Sequence, residues 1–420
     1  MRVNRRGGGR VRDQSHGGAD RGASIISCRR APRRTYRPAM RRAWVCWAIL
    51  SVTLGACRSI RELGPSPTWN AEPLSLIDLP GEERPTAVRF LGERGFVVSY
   101  NLRSQSGARF RTLQGGAWSQ PDFGPESNDG AEGLTLSPDG AFVAVAQYDR
   151  IQLVPLAGAQ ARTLSLRAAS PGDYCGSPWS LVWGRPGAQG TLAVQCALGR
   201  PLTLVDVESG RLTFPPLGPD VAGTGSTLRD LSLSRTGDTL VVVGHTTRYA
   251  DDDTTAWVEL RALPDGAPRQ RFTLSRTFGD AALSPDSARL AVSSPYWGLQ
   301  VLDVASGRVL AELSEPPDRA NSGSGDVVWS PDGALLYRVG RRLSISVHDG
   351  ATAQLRGYFP AHPADARAEG APGWPSSRSW DNGHLTLSPD GRYLAALSRA
   401  DVGPSKARAV RIWRLPARGP

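Results

Sequence analysis

The chain has 420 residues, of which 40% are hydrophobic and 21% are charged, and its formal net charge at pH 7 is +11. That charge does not describe the whole molecule, because 13 of the 50 basic residues but only 2 of the 39 acidic residues lie in 1–56. Residues 57–420 are therefore formally neutral and offer no basic stripe to follow a phosphate backbone. We predict no nucleic-acid partner.

The N-terminal region has two parts. Residues 1–39 are rich in Arg and Gly, and Met40 then begins a basic start followed by the apolar stretch "AWVCWAILSVTLG" at 43–55. This order indicates a secretory signal peptide over 40–56. The stretch is shorter than the roughly 20 residues of a membrane-spanning helix, which is the alternative. Residues 1–39 are then either a translation start placed too far upstream or a long basic extension of the signal.

The signal ends in "LGAC" at 54–57. This tetrapeptide resembles the bacterial lipobox, whose Cys receives a diacylglyceryl group before cleavage. The resemblance implies that Cys57 is lipidated and that 57–71 tethers a folded domain to a membrane. Arg58 is not the Asp that holds many lipoproteins in the inner membrane, so the resemblance implies an outer-membrane anchor facing the periplasm. The alternative is a buried thiol at Cys57 in a cytosolic protein.

The heptapeptide "LTLSPDG" occurs at 134–140 and again at 385–391. Ser, Pro, Asp and Gly fill a four-residue turn in a favoured order, and short runs rich in β-formers flank the turn. The pattern therefore predicts a hairpin. Weaker copies place the turns near residues 91, 137, 184, 234, 284, 330 and 388, an interval of roughly 50 residues that is typical of a repeat architecture.

Each hairpin is followed by a third strand and usually a fourth, as in "GLQVLDVASG" and "RVLAEL" over 298–313. Four strands per repeat, with no helical segment between them, predict an all-β fold of seven four-stranded antiparallel propeller blades over 72–420. A β-sandwich array is the alternative. Near-continuous apolar second strands such as "TLVVV" and "FVAVA" suit sheets that are covered on both faces.

The chain resembles the WD40-like and TolB-like family of seven-bladed propellers. The residues that carry the resemblance are the four Ser-Pro-Asp turns, "LVDVESGR" (204–211), "VLDVASGR" (301–308) and "VRIWRL" (410–415). The Gly-His and Trp-Asp pairs of true WD40 blades are missing. The last repeat stops after its third strand, at 408–415. We predict that a strand at 72–81 completes it and closes the ring of a monomeric propeller, unless 72–81 is only a linker.

Cys175 and Cys196 are the cysteines that remain in the mature chain beside Cys57. Cys175 lies just before the first strand of the third repeat, and Cys196 lies at the end of its second strand. Antiparallel pairing would bring these ends together, and an oxidising compartment would allow a disulfide. Two free thiols are the alternative.

The connections of the repeats differ between the two faces. Turns between first and second strands and between third and fourth strands are short and share one face. The other connections are long, and they include 120–133, 167–180, 244–257, 314–326 and 360–384. We assign to this second face the aromatic residues Tyr100, Tyr148, Tyr174, Trp179, Tyr249, Tyr296, Trp297, Trp374 and Trp380. Aromatic side chains in polar loops are typical of a contact surface, although each could also simply pack its own loop.

The sequence contains no GxSxG elbow, HExxH motif, EF-hand loop or P-loop. The strongest metal candidate is His245 with Asp251, Asp252 and Asp253, but three adjacent Asp residues more often face water. We predict no cofactor and no catalytic residue.

The leading hypothesis is a lipid-anchored, non-enzymatic scaffold that binds a protein or another envelope component through its loop-rich face. One alternative is a propeller enzyme of the lactonase or dehydrogenase kind, with a small ligand or metal in the central funnel. Another is a cytoplasmic WD40-type scaffold, which requires the signal to be spurious.

Overall fold

The structure is a computed structural model, and it describes most of the chain from residue 69 onward. The described residues are 69, 71–78, 84–91, 95–102, 105–112, 115–119, 131–147, 149–156, 160–168, 174–184, 190–199, 201–217, 227–248, 253–274, 279–294, 298–314, 326–339, 345–359, 385–399 and 408–416. They belong to one compact unit, 65–420. Within them, no helix is long and apolar enough to cross a membrane.

The described elements are all strands. In the N-terminal half they are β1 (Glu72–Asp78), β2 (Arg84–Leu91), β3 (Gly95–Leu102), β4 (Gln105–Thr112), β5 (Gly115–Ser119), β6 (Ala131–Leu136), β7 (Phe142–Gln147), β8 (Arg150–Pro155), β9 (Arg162–Ser165), β10 (Cys175–Gly184), β11 (Thr191–Gly199), β12 (Leu202–Asp206) and β13 (Leu212–Thr213).

In the C-terminal half they are β14 (Thr227–Leu233), β15 (Thr239–Arg248), β16 (Asp253–Ala262), β17 (Pro268–Leu274), β18 (Asp280–Leu283), β19 (Arg289–Ser294), β20 (Gly298–Asp303), β21 (Val309–Ser314), β22 (Val327–Trp329), β23 (Leu335–Val339), β24 (Ile345–Asp349), β25 (Leu355–Tyr358), β26 (Leu385–Leu387), β27 (Tyr393–Arg399) and β28 (Arg408–Arg414).

The strands pair into seven four-stranded sheets, and every pairing is antiparallel. Sheets 1 to 6 take consecutive strands from β2 to β25, each in the order of the chain, and sheet 7 has the order β1-β28-β27-β26. The prediction of an all-β propeller with four-stranded antiparallel blades is confirmed. Strand β1 pairs with β28 over Glu72 to Asp78, so the segment predicted at 72–81 contributes a strand to the sheet of the C-terminus.

The hydrophobic core is divided among the seams between consecutive sheets. Second strands are buried almost throughout, as in β7 and β23, because a neighbouring sheet covers each of their two faces. One cluster joins sheets 3 and 4 through residues such as Leu204 and Val242. Another joins sheet 7 to sheet 1 through Ile412 and Val98. Each sheet therefore depends on its neighbours for burial of its apolar side chains.

The repeated heptapeptide forms a turn that satisfies its own polar groups. The Ser137 hydroxyl donates to Asp139 and accepts from the Phe142 amide at 2.9 Å, and the Ala141 amide donates to Asp139 at 3.0 Å. Gly140 has a φ of 70°, a left-handed conformation that glycine adopts without strain. The same contacts recur in the turns at Ser284, Ser330 and Ser388.

The interpretation of 244–257 as a long connection was wrong. Strand β15 continues to Arg248 and β16 begins at Asp253, so most of this segment is a paired hairpin. Thr246 faces Thr255, and Thr247 faces Thr254. β-branched threonines suit such cross-strand pairs, which explains why a polar sequence here is strand and not loop.

Candidate functional site

The predicted aromatic surface is described only in part. Tyr174 lies at the start of sheet 3, where it forms an isolated bridge with Arg167, and its side chain is 39% exposed. Tyr100 and Trp179 were placed in connections, and this was wrong, because they lie within β3 and β10. Outside the described residues are Tyr148, Tyr249, Tyr296, Trp297, Trp374 and Trp380, as is the lipidation candidate Cys57.

Cys175 and Cys196 form a disulfide, with their Cα atoms 5.3 Å apart. Cys175 is the first residue of β10 and not a residue before it, and Cys196 pairs with Pro178 across the first two strands of sheet 3. Both residues are buried in the cluster between sheets 2 and 3. The bond therefore fixes the end of the hairpin next to exposed Tyr174.

His245 makes a hydrogen bond within the protein through Nδ1, one of the two ring nitrogens that could bind a metal. It is 8% exposed on β15, and its Nδ1 accepts a hydrogen bond from Arg229 Nε at 3.1 Å. Burial, followed by the Arg229 charge, lowers the pKa of His245. His245 faces Ala256, whereas Asp253 faces Arg248, about 10 Å further along the hairpin. Asp251 and Asp252 lie outside the described residues.

Sequence reasoning missed an ionic cluster where the first strands of four sheets converge. It contains Arg89 on β2, Asp230 on β14, Asp280 on β18 and Asp326 just before β22. The Arg89 guanidinium lies within electrostatic range of all three carboxyl groups, although its sheet is not adjacent to theirs in the chain. All four residues are partly exposed. We name these four residues the axial cluster.

Two of the carboxylates fasten one sheet to the next. Asp280 Oδ2 accepts from the Val327 amide of sheet 6 at 2.6 Å, and Asp326 Oδ2 accepts from the Leu385 amide of sheet 7 at 3.0 Å. Asp230 makes no such bond to the next sheet among the contacts of the described residues, and it lies close enough to Asp280 for the negative charge of Asp280 to disfavour its ionisation.

The environment of the cluster shifts the pKa values of its members. Burial, followed by the negative charge of Asp280, raises the pKa of Asp230 well above its ordinary value. Burial also raises the pKa of Asp280, while its hydrogen bonds and Arg89 oppose that rise. Burial lowers the pKa of Arg89, but a guanidinium remains charged at any pH a folded protein meets. The cluster can thus hold a proton, and it can attract a cationic or hydrogen-bonding group.

The repeats did contain a signal for this cluster. Asp230, Asp280 and Asp326 each lie four residues before the turn residue Ser234, Ser284 or Ser330 in successive copies. Alignment of the copies by their turns shows the shared position, although it does not show that Arg89 of sheet 1 lies near all three residues. Among the described residues, no group of three or more His, Cys, Asp or Glu side chains has the arrangement of a metal site.

No protein-family model matches this chain, and no curated protein matches its sequence. The function must therefore be inferred from the fold, the connections between the strands and the axial cluster.

Proposed function

We propose that this protein is a lipid-anchored propeller of the cell envelope that acts as a non-enzymatic scaffold and binds a protein partner. The surface that we assign to the partner is the face carrying the connections from second to third strands and from each sheet to the next, which we name the loop face. The opposite face, with the other two kinds of connection, is the turn face. The resemblance to the WD40-like and TolB-like family supports the proposal by analogy of fold.

The observation that carries the proposal is the contrast between these faces. On the turn face, carboxylates in the turns accept hydrogen bonds from backbone amides of the same turns. Asp303 accepts from the Ser306 amide at 2.8 Å, and Asp349 accepts from the Thr352 amide at 2.9 Å. Such groups have few hydrogen bonds left to offer a partner. The longest separations between consecutive strands, at 120–130, 214–226, 315–326 and 359–384, all belong to the loop face. Long connections in compact domains commonly carry function.

We further propose that the seven sheets are seven blades of one closed ring. Contacts between first strands support it, since they run from β2 to β6 and onward through β22 to β26, and β26 contacts β2. The cluster shared by sheets 7 and 1 and the pairing of β1 with β28 support it as well. In this arrangement β1 covers the edge of β28, which would otherwise lie open where the two ends of the domain meet.

The test of the binding function is capture of proteins from an envelope extract by the 58–420 fragment. A second version has 361–383 replaced by a short Gly-Ser link. A third, matched version has Glu208→Ala and Arg308→Ala, two changes in turns of the turn face. We expect a partner that the first and third versions retain and the second loses. Equal capture by all three, or capture of nothing, would contradict the proposal.

The membrane anchor has its own test. Replacement Cys57→Ser in the full-length chain should abolish incorporation of a labelled fatty acid and release the protein from the membrane fraction. Cys28→Ser is the matched control, because it removes a thiol upstream of the signal. Unchanged labelling of Cys57→Ser would contradict lipidation at this residue.

The axial cluster favours a second candidate, a propeller enzyme or receptor with a small cationic ligand near Asp230 and Asp280. Carboxyl groups with raised pKa values in partly exposed positions are common at functional sites. The test is a thermal-shift screen of small amines with the wild type and Asp280→Asn. A ligand that stabilises only the wild type would support this candidate over the scaffold alone.

A further inference from the structure

The chain enters the propeller on the turn face. Strand β1 begins at Glu72, which pairs with Arg414, and Arg414 pairs with Tyr393, the first residue after the turn at 388–392. The guanidinium of Arg414 also forms an ion pair with Glu72 at 3.1 Å. The polypeptide that precedes Glu72 therefore reaches sheet 7 from the turn face.

The end of this entering segment is fixed to the domain. The Trp69 amide donates to the carbonyl of Tyr358 on β25, in sheet 6, at 2.6 Å. The half-buried Trp69 side chain packs against the cluster shared by sheets 6 and 7, which contains Phe359 and Trp413. The tether therefore departs from a defined point between sheets 6 and 7.

The covalent distance from that point to the proposed anchor is short. Eleven residues, 58–68, separate Cys57 from Trp69. A fully extended chain of this length spans about 40 Å, and a flexible one has a typical end-to-end distance of about 20 Å. A lipid on Cys57 would therefore keep the membrane close to the part of the turn face where the chain enters.

Exposed apolar side chains of the described residues are concentrated on the same face. Among the exposed large hydrophobic residues, Tyr174 is the one that belongs to the loop face. The others lie where strands meet the turn face, and they are Phe142, Leu156, Val309, Leu310 and Leu355. Single exposed apolar side chains are common on proteins, but their concentration on one face indicates a contact surface.

Three of these residues lie beside the entering segment. Val309 and Leu310 begin β21, the outer strand of sheet 5, and Leu355 begins β25, the outer strand of sheet 6. Ala353, in the turn before Leu355, packs in one cluster with Ala311 of β21, so the beginnings of the two outer strands are neighbours. Strand β25 is also the strand that holds the entering segment. We name Val309, Leu310 and Leu355 the apolar rim.

The charges next to the apolar rim balance one another. Arg308 and Arg356 adjoin its members in the chain, and Asp303 and Asp349 lie in the same two turns. Arg356 pairs with Asp349. Contact of the rim with another surface should therefore depend on burial of its apolar groups and not on a charged partner.

We propose that the apolar rim lies against the lipid surface to which Cys57 is anchored, so that the turn face is directed toward the membrane and the loop face away from it. The inference rests on the proposed anchor and extends it, because it assigns an orientation to the domain. Three side chains bind a bilayer only weakly by themselves, whereas an anchored domain keeps them at the surface. The loop face remains open to a protein partner.

The test places one photoreactive residue at position 310 of the full-length chain and, in a second protein, at position 174 on the loop face. Membrane fractions are irradiated, and mass spectrometry of the peptide with the reactive residue identifies its adducts. We expect a lipid adduct at position 310 and several-fold less at position 174. Membrane-bound protein with equal lipid adducts at both positions, with protein adducts alone at position 310, or with no adduct there would overturn the proposal.

A second set of variants tests the apolar contact itself. The photoreactive residue now replaces Gln354, which is exposed and precedes Leu355. Leu310→Ser with Leu355→Ser should remove most of the lipid adduct at position 354. Leu156→Ser, which changes an exposed apolar residue on sheet 2, is the matched control and should retain the adduct. Equal adducts in all backgrounds would overturn the role of the apolar rim.

A vesicle experiment separates the proposed orientation from the anchor. The described strands belong to the compact unit 65–420, which we expect to fold without the residues before it. The chain from residue 58 is held by an N-terminal histidine tag on phosphatidylcholine vesicles that contain a nickel-chelating lipid. A lipid adduct at position 310 would support the orientation even if Cys57 proved not to be lipidated in cells. Absence of the adduct would overturn it, whatever the result for Cys57.

Discussion

Ser330 shows what the repeated turn requires of one side chain. It is 2% exposed, its hydroxyl donates to Asp332, and it accepts from the Leu335 amide at 2.9 Å. Ser330→Ala removes that acceptor from a buried amide, so we expect the free energy of unfolding to fall by about 1–2 kcal/mol. Denaturant titration measures the change. Ser306→Ala, in an exposed turn, is the control and should cost less; equal losses would contradict this role for burial.

For single residues, the sequence predicts the turns but does not predict polar contacts between residues that are far apart in the chain. The order Ser-Pro-Asp-Gly predicts its turn because all four residues act within a few positions of one another. Asp230 and Asp280 are 50 positions apart, and no local pattern shows that they lie close together. Repeat alignment shows that they are equivalent, but only the convergence of first strands places both near Arg89.

Strand β16 carries a buried ion pair that links two sheets. Arg261 is 1% exposed, its Nε donates to Glu259 at 2.9 Å, and its Nη2 donates to the Pro216 carbonyl of the preceding repeat at 2.6 Å. Arg261→Met removes the partner of a buried carboxylate. We expect a loss of about 3–5 kcal/mol in the free energy of unfolding, measured by denaturant titration.

The matched variant is the double replacement Glu259→Gln with Arg261→Met. It removes the charge that the single replacement leaves behind and should recover part of the loss. A double variant no more stable than Arg261→Met would show that the Pro216 and Gly266 contacts of Arg261 matter more than its charge.

The disulfide stabilises the first hairpin of sheet 3. The two cysteines are 21 positions apart, and the chain-entropy model gives about 3 kcal/mol for closing a loop of this size. We expect Cys175→Ala with Cys196→Ala to lose roughly that amount in the free energy of unfolding. Reductant should lower the thermal midpoint of the wild type and leave the double variant unchanged. Equal sensitivity of both proteins to reductant would contradict a stabilising bond.

Strand prediction succeeded where a hydrophobic repeat was present and failed where strands are polar. The buried second strands were recognised from runs such as "TLVVV". The extension of β15 and β16 has no hydrophobic pattern and ends in aspartates, which are depleted in strands, so the sequence does not reveal the cross-strand pairing of its threonines.

The whole molecule combines two opposite pH dependences. Hydrogen bonds from turn side chains lower the pKa values of carboxyl groups on the turn face, with a serine hydroxyl as the largest cause for Asp139, Asp206, Asp286 and Asp303. Their stabilisation is present above the ordinary aspartate pKa and is lost as the pH falls through the lowered values. Asp230 has the opposite sign.

We therefore expect the thermal midpoint to be highest at mildly acidic pH, to fall steeply in stronger acid and to fall more gently toward alkaline pH. Calorimetry across the pH range measures this profile. A midpoint that keeps rising with pH through the neutral range would contradict the raised pKa of Asp230. A midpoint that does not change in acid would contradict the stabilising role of the turn carboxylates.

Photo-cross-linking in cells with the full-length chain tests the proposed binding through the loop face most directly. One photoreactive residue replaces Tyr174, which is exposed where sheet 3 begins on the loop face, and another replaces exposed Glu208, on the turn face of the same sheet. We predict a specific protein adduct from position 174 and none from position 208. Adducts from position 208 alone, or from neither position, would contradict a scaffold that binds through its loop face.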